Sequence, residues 1–263
     1  MKTKNILFGF VRGLAAAVFW IAVWCIVSYR TDSELLFPSP VSVVRALFEL
    51  AVTADFWKTA AYSLLRVALG IIISLILGSL LAMLTEKIKA ADALLSPMLG
   101  VIKATPVASF IILALLWLDR NTLPLFITSL IVIPIVWSNV SGGIRSVDKS
   151  LVEVTRVYGF SPLKRLRRLY LPSVTPYFLA ACRSSLGLAW KAGISAEVLS
   201  TPKHAIGTEL YFSKTYLETP SLFAWTVVVI ILSVIIEKLF VLGIERGAKA
   251  LGLIPKGVAY DKA

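Results

Sequence analysis

Cysteine and histidine are nearly missing from this sequence. Cys25 and Cys182 lie far apart in apolar stretches, so there is neither a disulfide framework nor metal-ligand spacing. His204 is the only histidine, which leaves nothing to build a histidine metal site or catalytic triad. No Gly-x-x-x-x-Gly-Lys-Ser/Thr string occurs, so the chain is not itself a P-loop ATPase. Acidic residues are scarce too: 15 Asp and Glu stand against 27 Lys and Arg, a net charge of +12. In a soluble protein that balance would suggest nucleic acid. The chain is 58% hydrophobic with mean hydropathy +0.84, whereas soluble domains are about 45–50% apolar. This composition describes an integral membrane protein, and where the charges fall matters more than their sum.

The apolar runs predict an all-α membrane protein of six spans, near residues 6–29, 61–84, 97–118, 123–140, 174–199 and 222–243. Each is close to the roughly 20 residues that cross a bilayer. Lys2 and Lys4 precede the first run, which also suits a signal peptide, but no convincing small-residue cleavage site follows it. Gly70 and Gly78 in the second span allow close helix packing. Ser96 and Pro97 open the third span, and Pro106 interrupts it. Between the first two spans, Ser39 and Pro40 open a capped amphipathic helix with Val41, Val44, Phe48 and Ala51 on one stripe, either lying at the outer interface or serving as a linker. The expected division is an N-terminal span in 1–29, an extracytoplasmic segment in 30–60, a core in 61–246 holding a cytoplasmic loop at 142–172, and a cytoplasmic tail in 247–263.

With six spans, both termini share one side. On this reading 17 of the 27 Lys and Arg fall on that side and six on the other. The positive-inside rule therefore puts both termini and the 142–172 loop in the cytoplasm.

That loop organises the chain. Residues 153–172 read EVTRVYGFSPLKRLRRLYLP, a basic interruption in an apolar sequence. Ser150 is expected to N-cap one short helix with Glu153 as its capping-box partner. Gly159 supplies a left-handed stop. Ser161 caps a second helix with Pro162 at its first position. Leu163, Leu166 and Leu169 share a face of that helix, Lys164, Arg165, Arg167 and Arg168 take much of the rest, and Pro172 ends it.

Glu153, Gly159, Leu169, Leu171 and Pro172 fall in register on a pattern that resembles the EAA loop of ABC-importer permeases. Val154 and Thr155 stand where that motif has its two alanines. Phe37-Pro38-Ser39-Pro40, Ser63-Leu64-Leu65-Arg66-Val67, residues 103–106, Ala189-Trp190 and Ala196-Glu197 resemble the nitrate, sulfonate and taurine importer group. The resemblance implies that the loop is a coupling helix docking on a separate ATPase subunit, through Glu153, Gly159, Ser161, Leu163, Leu166, Leu169, Leu171 and Pro172. It also implies an extracytoplasmic solute-binding protein and a pair of permease subunits. A homodimer is the simplest pair, since no duplicated half is visible. No cofactor, nucleic-acid partner or covalent chemistry is expected.

Ionisable residues inside spans are costly and by default functional. Lys103 lies roughly 10 Å into the third span, either in the path or snorkelling to the cytoplasmic interface. Arg183 is in the path or bonded to a neighbouring helix end. Trp190 is a belt residue or a path wall. Lys191 and Glu197 lie in the outer half of the fifth span, six apart and so poorly placed for a mutual ion pair. Thr105, Pro106, Ser109 and Asn139 are further candidates, the hydroxyls and amide serving equally in interhelical bonds. Positive charges predominate, which favours an anion such as nitrate, a sulfonate or taurine. Two other readings stay open: a stand-alone channel or secondary transporter, and a membrane sensor with a cytoplasmic helix-turn-helix.

Overall fold

The computed structural model describes residues 2–250, and the end of the expected tail, 251–263, lies outside the described residues. Helix α1 (Lys2–Thr31) is followed by α2 (Pro40–Ala51), α3 (Ala54–Lys87), α4 (Lys89–Ala104) and α5 (Val107–Ala114). Then come α6 (Leu123–Arg145), α7 (Lys149–Val157), α8 (Pro162–Arg165), a π-helical turn (Leu166–Tyr170), α9 (Leu171–Ser200), α10 (Ile206–Thr215) and α11 (Thr219–Ala250). Among the described residues, four helices are long and apolar enough to cross a membrane, or five if the bent pair α4–α5 counts as one. Helix α9 has 30 residues, about 45 Å of rise, but Arg183, Lys191 and Glu197 make it more polar than the others. It lies among its neighbours, where a helix can carry charge out of contact with lipid.

Helix α6 sits between α3 and α9, and these three form the centre of the bundle. Glycine decides how near they come. A β-carbon on Gly70 would lie 2.9 Å from Thr128 Cβ, and one on Gly78 would lie 2.8 Å from Val136 Cβ. Both sites of close α3–α6 packing are those expected from the sequence. Val67, Ile71, Val132, Val136, Leu186 and Trp190 fill the resulting core.

One boundary differs from expectation. Only Ile88 separates α3 from α4, and Pro97 lies inside α4 instead of opening the third span. The expected interruption of the third span at Pro106 is a full break, with α4 and α5 meeting at 105°. Thr105 is extended (φ −84°, ψ 134°), as a residue before proline must be, and Pro106 then starts α5 without an N–H to donate. On α2, the expected stripe of Val41, Val44 and Phe48 points away from the bundle, while Val43 and Ala46 are buried against Trp24 and Phe223. The cap itself is as read: Ser39 accepts from Ser42 N at 3.1 Å.

Candidate coupling element and translocation path

The loop between α6 and α9 is built around one left-handed residue. Gly159 has φ +63°, with Gly159 N donating to Arg156 O and Phe160 N to Thr155 O at 2.9 Å, so α7 closes as a C-cap should. Ser161 then caps α8 by accepting from Lys164 N at 3.4 Å, with Pro162 at the first position. Lys164 Nζ lies 4.0 Å from the centre of the Phe160 ring, which fixes the turn between the helices. Helix α7 shares no substantial interface with another described helix. It projects from the bundle with Leu151, Val157 and Tyr158 exposed.

The first cap is a correction. Asp148, not Ser150, is the N-cap: its carboxylate accepts from Ser150 N at 2.8 Å. The Ser150 side chain, and then its N–H, hold the Asp148 carboxyl below the usual range. A charged carboxylate accepts the Ser150 N–H more strongly than a neutral hydroxyl would accept one, so the helix starts at Lys149 and Ser150 lies inside it. Glu153 is therefore one turn inside α7, exposed, and no capping box forms.

The end of the element is a second correction. Pro172 does not terminate it, because α8 runs through the π turn directly into α9. Leu171 N donates to Leu166 O, five residues back. Pro172 has no N–H, so the wider turn accommodates its ring without breaking the helix. The extra residue per turn also divides the expected leucine face. Leu163 is 74% exposed, whereas Leu166 and Leu171 line a cavity against α3 and α6. Leu169 is half-buried.

At the other end of α9 a buried polar cluster joins three helices. Glu197 is fully buried. Its Oε1 accepts from Arg66 Nη1 at 3.2 Å, and its Oε2 from Ser63 Oγ at 2.8 Å and Gly207 N at 3.2 Å. Ser63 Oγ in turn accepts from Ile206 N at 2.9 Å. Arg66 also donates to Lys203 O at 2.6 Å and His204 O at 3.1 Å. Two residues of that loop, Thr201 (φ 45°) and His204 (φ 46°), are left-handed, an uncommon state for a β-branched threonine. The guanidinium holds the loop at Lys203 and His204, and Tyr62 stacks on His204 at 5.7 Å.

The remaining in-span charges lie along the bend and α9. Lys103 is exposed in the last turn of α4, with Nζ 5.6 Å from the Trp137 ring centre. Thr105 Oγ1 donates back to Val101 O, and Asn139 Nδ2 to Ile135 O. Pro106 forms the break, and Ser109 is exposed on α5. Lys191 and Ser195 line a cavity of about 250 Å³ walled by Val107, Ala108, Ile111 and Ile131. Arg183 is half-buried midway along α9. Trp190 is a core residue: it is buried and its Nε1 donates to Val229 O at 3.1 Å.

Residues 70–246 match the family described as the binding-protein-dependent transport system inner membrane component. The chain belongs to that family. The permease is 28% identical over 224 residues to a candidate aliphatic sulfonates transport permease of Bacillus subtilis, covering 84% of this chain and 80% of that protein. It is 26% identical to a bicarbonate transport system permease of Synechococcus elongatus, covering 78% of each. It is 27% identical to the nitrate import permease of the same species, covering 68% of each. Among solved structures, a chain of a bacterial alginate ABC transporter in complex with a periplasmic protein superposes with TM-score 0.59 at 15% identity, over 94% of this chain and 97% of that one. An inward-facing methionine ABC transporter gives 0.51 at 17%, over 80% and 95%. The fold is that of ABC-importer permeases, and the chain is a multi-pass membrane transport subunit.

Within this permease the loop residues are contiguous in space, but the in-span candidates are not one group. Lys191 and Ser195 share a cavity with α5. Glu197 and Trp190 are both turned away into the packing. The bond from Arg66 to Glu197, 131 residues away, was not foreseen from the sequence. The available signal was an acid and a base of opposite charge in two apolar helices, each needing a partner.

Proposed function

We propose that this permease works as a homodimer that imports a small anion, with the 153–172 element docked on a separate cytoplasmic ATPase and an extracytoplasmic protein delivering the solute. The observation that carries the coupling half is the exposed α7–Gly159–α8 projection, continuous through the π turn with α9. A force on α8 is transmitted along one unbroken helical rod to the level of Lys191. ATP binding by paired ATPases would draw the two projections together and tilt the α9 helices as rigid bodies, switching access between sides. The chain does no covalent chemistry in this scheme.

The anion half rests on two supports. The relatives are described by sulfonates, bicarbonate and nitrate, all small anions. Lys191 sits in a bilayer-spanning position with its side chain exposed toward a cavity, a placement that costs free energy unless an anion or water meets it. Lys103 marks the α4–α5 bend on the same reading. Lys191→Gln is expected to lower uptake of labelled nitrate, bicarbonate or sulfonate in vesicles containing all subunits about tenfold, a loss of one charge contact. Lys103→Gln is expected to do less, because its charge already rests on Trp137. Unchanged uptake in both variants, or transport of cations alone, would defeat the anion reading.

The orientation is tested separately. A cysteine placed at Ser161 is expected to resist a membrane-impermeant thiol reagent in intact cells and to react in inverted vesicles. Labelling from outside would reverse the assignment of the coupling element to the cytoplasm.

A further inference from the structure

A cavity of about 620 Å³ opens where α3, α6, the π turn and α9 diverge, at the end of the bundle that carries the coupling element. Met83, Val140, Ile144, Leu166, Val174 and Phe178 supply apolar wall. Two of its hydroxyls are already donating: Ser79 Oγ to Leu75 O and Thr175 Oγ1 to Leu171 O, both at 2.7 Å. The Glu86 carboxylate at the rim accepts from Arg145 Nε at 2.7 Å. Lys87, also at the rim, is exposed and forms no ion pair with a described residue, and exposed Lys89 follows just beyond.

From Ser79 to Lys87 the helix rises about 12 Å, so the cavity reaches from the charged end of α3 toward the middle of a hydrocarbon core about 30 Å thick. A polar solute entering it would lose water and find few hydrogen-bond partners along the apolar wall. Its volume lies within the roughly 300–1,000 Å³ of small-molecule sites, and basic rims between membrane helices suit anionic lipid headgroups.

We propose that this cavity holds an acyl chain of an anionic phospholipid whose headgroup phosphate is met by Lys87. Leu166, Tyr170 and Leu171 form one wall, so the bound chain props the π turn and steadies the root of α8. The site lies at the opposite end of α9 from the Arg66–Glu197 cluster and is separate from the cavity at Lys191. The inference uses the membrane reading of the chain but neither the solute nor the ATPase, and lipid retention can be measured with both absent.

The test is native mass spectrometry of the full chain, titrated in mild detergent with phosphatidylglycerol or phosphatidylcholine of matched chains. One phosphatidylglycerol is expected to be retained in preference. Val174→Trp, which fills the cavity, is expected to abolish that retention. Lys87→Gln, on an exposed helix end and harmless to folding, is expected to weaken phosphatidylglycerol binding about fivefold and leave phosphatidylcholine unchanged. Equal binding of both lipids by the unaltered chain, or an unchanged preference in Lys87→Gln, would overturn the proposal. So would binding that appears only after residues 251–263 are removed, since the guest would then be that segment.

Discussion

Gly159→Val is expected to leave the permease inserted in the membrane while lowering ATPase capture roughly tenfold or more. At φ +63° a β-carbon costs about 1–2 kcal/mol, and branching at that carbon adds to it. Crowding plays no part, because nothing lies within 4 Å of where the β-carbon would be. The strain is relieved by rotating the backbone, which swings α7 relative to α8. No substantial interface holds α7 in place, so the reorientation is cheap for the permease and ruinous for a fitted docking surface. Gly159→Asn is the control, since asparagine tolerates the left-handed region, and it should retain most of the binding. Glu153→Ala should be milder than the valine variant, because Glu153 caps nothing and is exposed. Pull-down of the ATPase and solute-stimulated hydrolysis are the two readouts. Wild-type values for both in Gly159→Val would mean that this loop is not the coupling element.

Glu197→Ala is expected to destabilise the permease by about 3–5 kcal/mol, the usual cost of removing one partner of a buried ion pair. Three donors lose their acceptor at once: Ser63 Oγ, Arg66 Nη1 and Gly207 N. Arg66 is the least harmed, since it keeps Lys203 O and His204 O and 14% of its side chain reaches the surface. Gly207 N is buried and has no second partner to turn to, at about 1–3 kcal/mol. Ser63→Ala should cost less, removing one link to Glu197 and one to Ile206 N. Gly207→Ala should resemble the Glu197 variant for a steric reason, because its β-carbon would fall 2.4 Å from Glu197 Cβ. Thermal unfolding in detergent measures all three. A midpoint for Glu197→Ala within a degree of the parent would show that α3, α9 and α10 are held together by packing alone.

The sequence by itself determined the class of this protein and the turn at the centre of its 153–172 loop. Long apolar runs have one stable solution in a bilayer, the helix, because every backbone donor must be satisfied within its own segment. Gly159 and the Ser161–Pro162 pair were legible because caps are local, depending on two or three neighbours and a dihedral angle. Gly70 and Gly78 were legible because small residues in an apolar helix have one common use. Asp148 was missed as the cap because two candidate acceptors stood two residues apart, and only the conformation of the helix end chooses between them. The π turn was invisible for a related reason: Pro172 can end a helix or be absorbed by a wider turn, and the packing of α9 decides which. The break at Thr105–Pro106 was foreseen, but not its 105° bend, which follows from how α4 and α5 pack on α6 and α9. The Arg66–Glu197 bond joins residues with no local relation, so tertiary structure alone could bring them together. The burial of Trp190 and the placement of Leu166 on a cavity wall were decided the same way. A side chain's helix can be read from its neighbours in sequence, but the direction it faces depends on which helices surround that one, and those come from far along the chain.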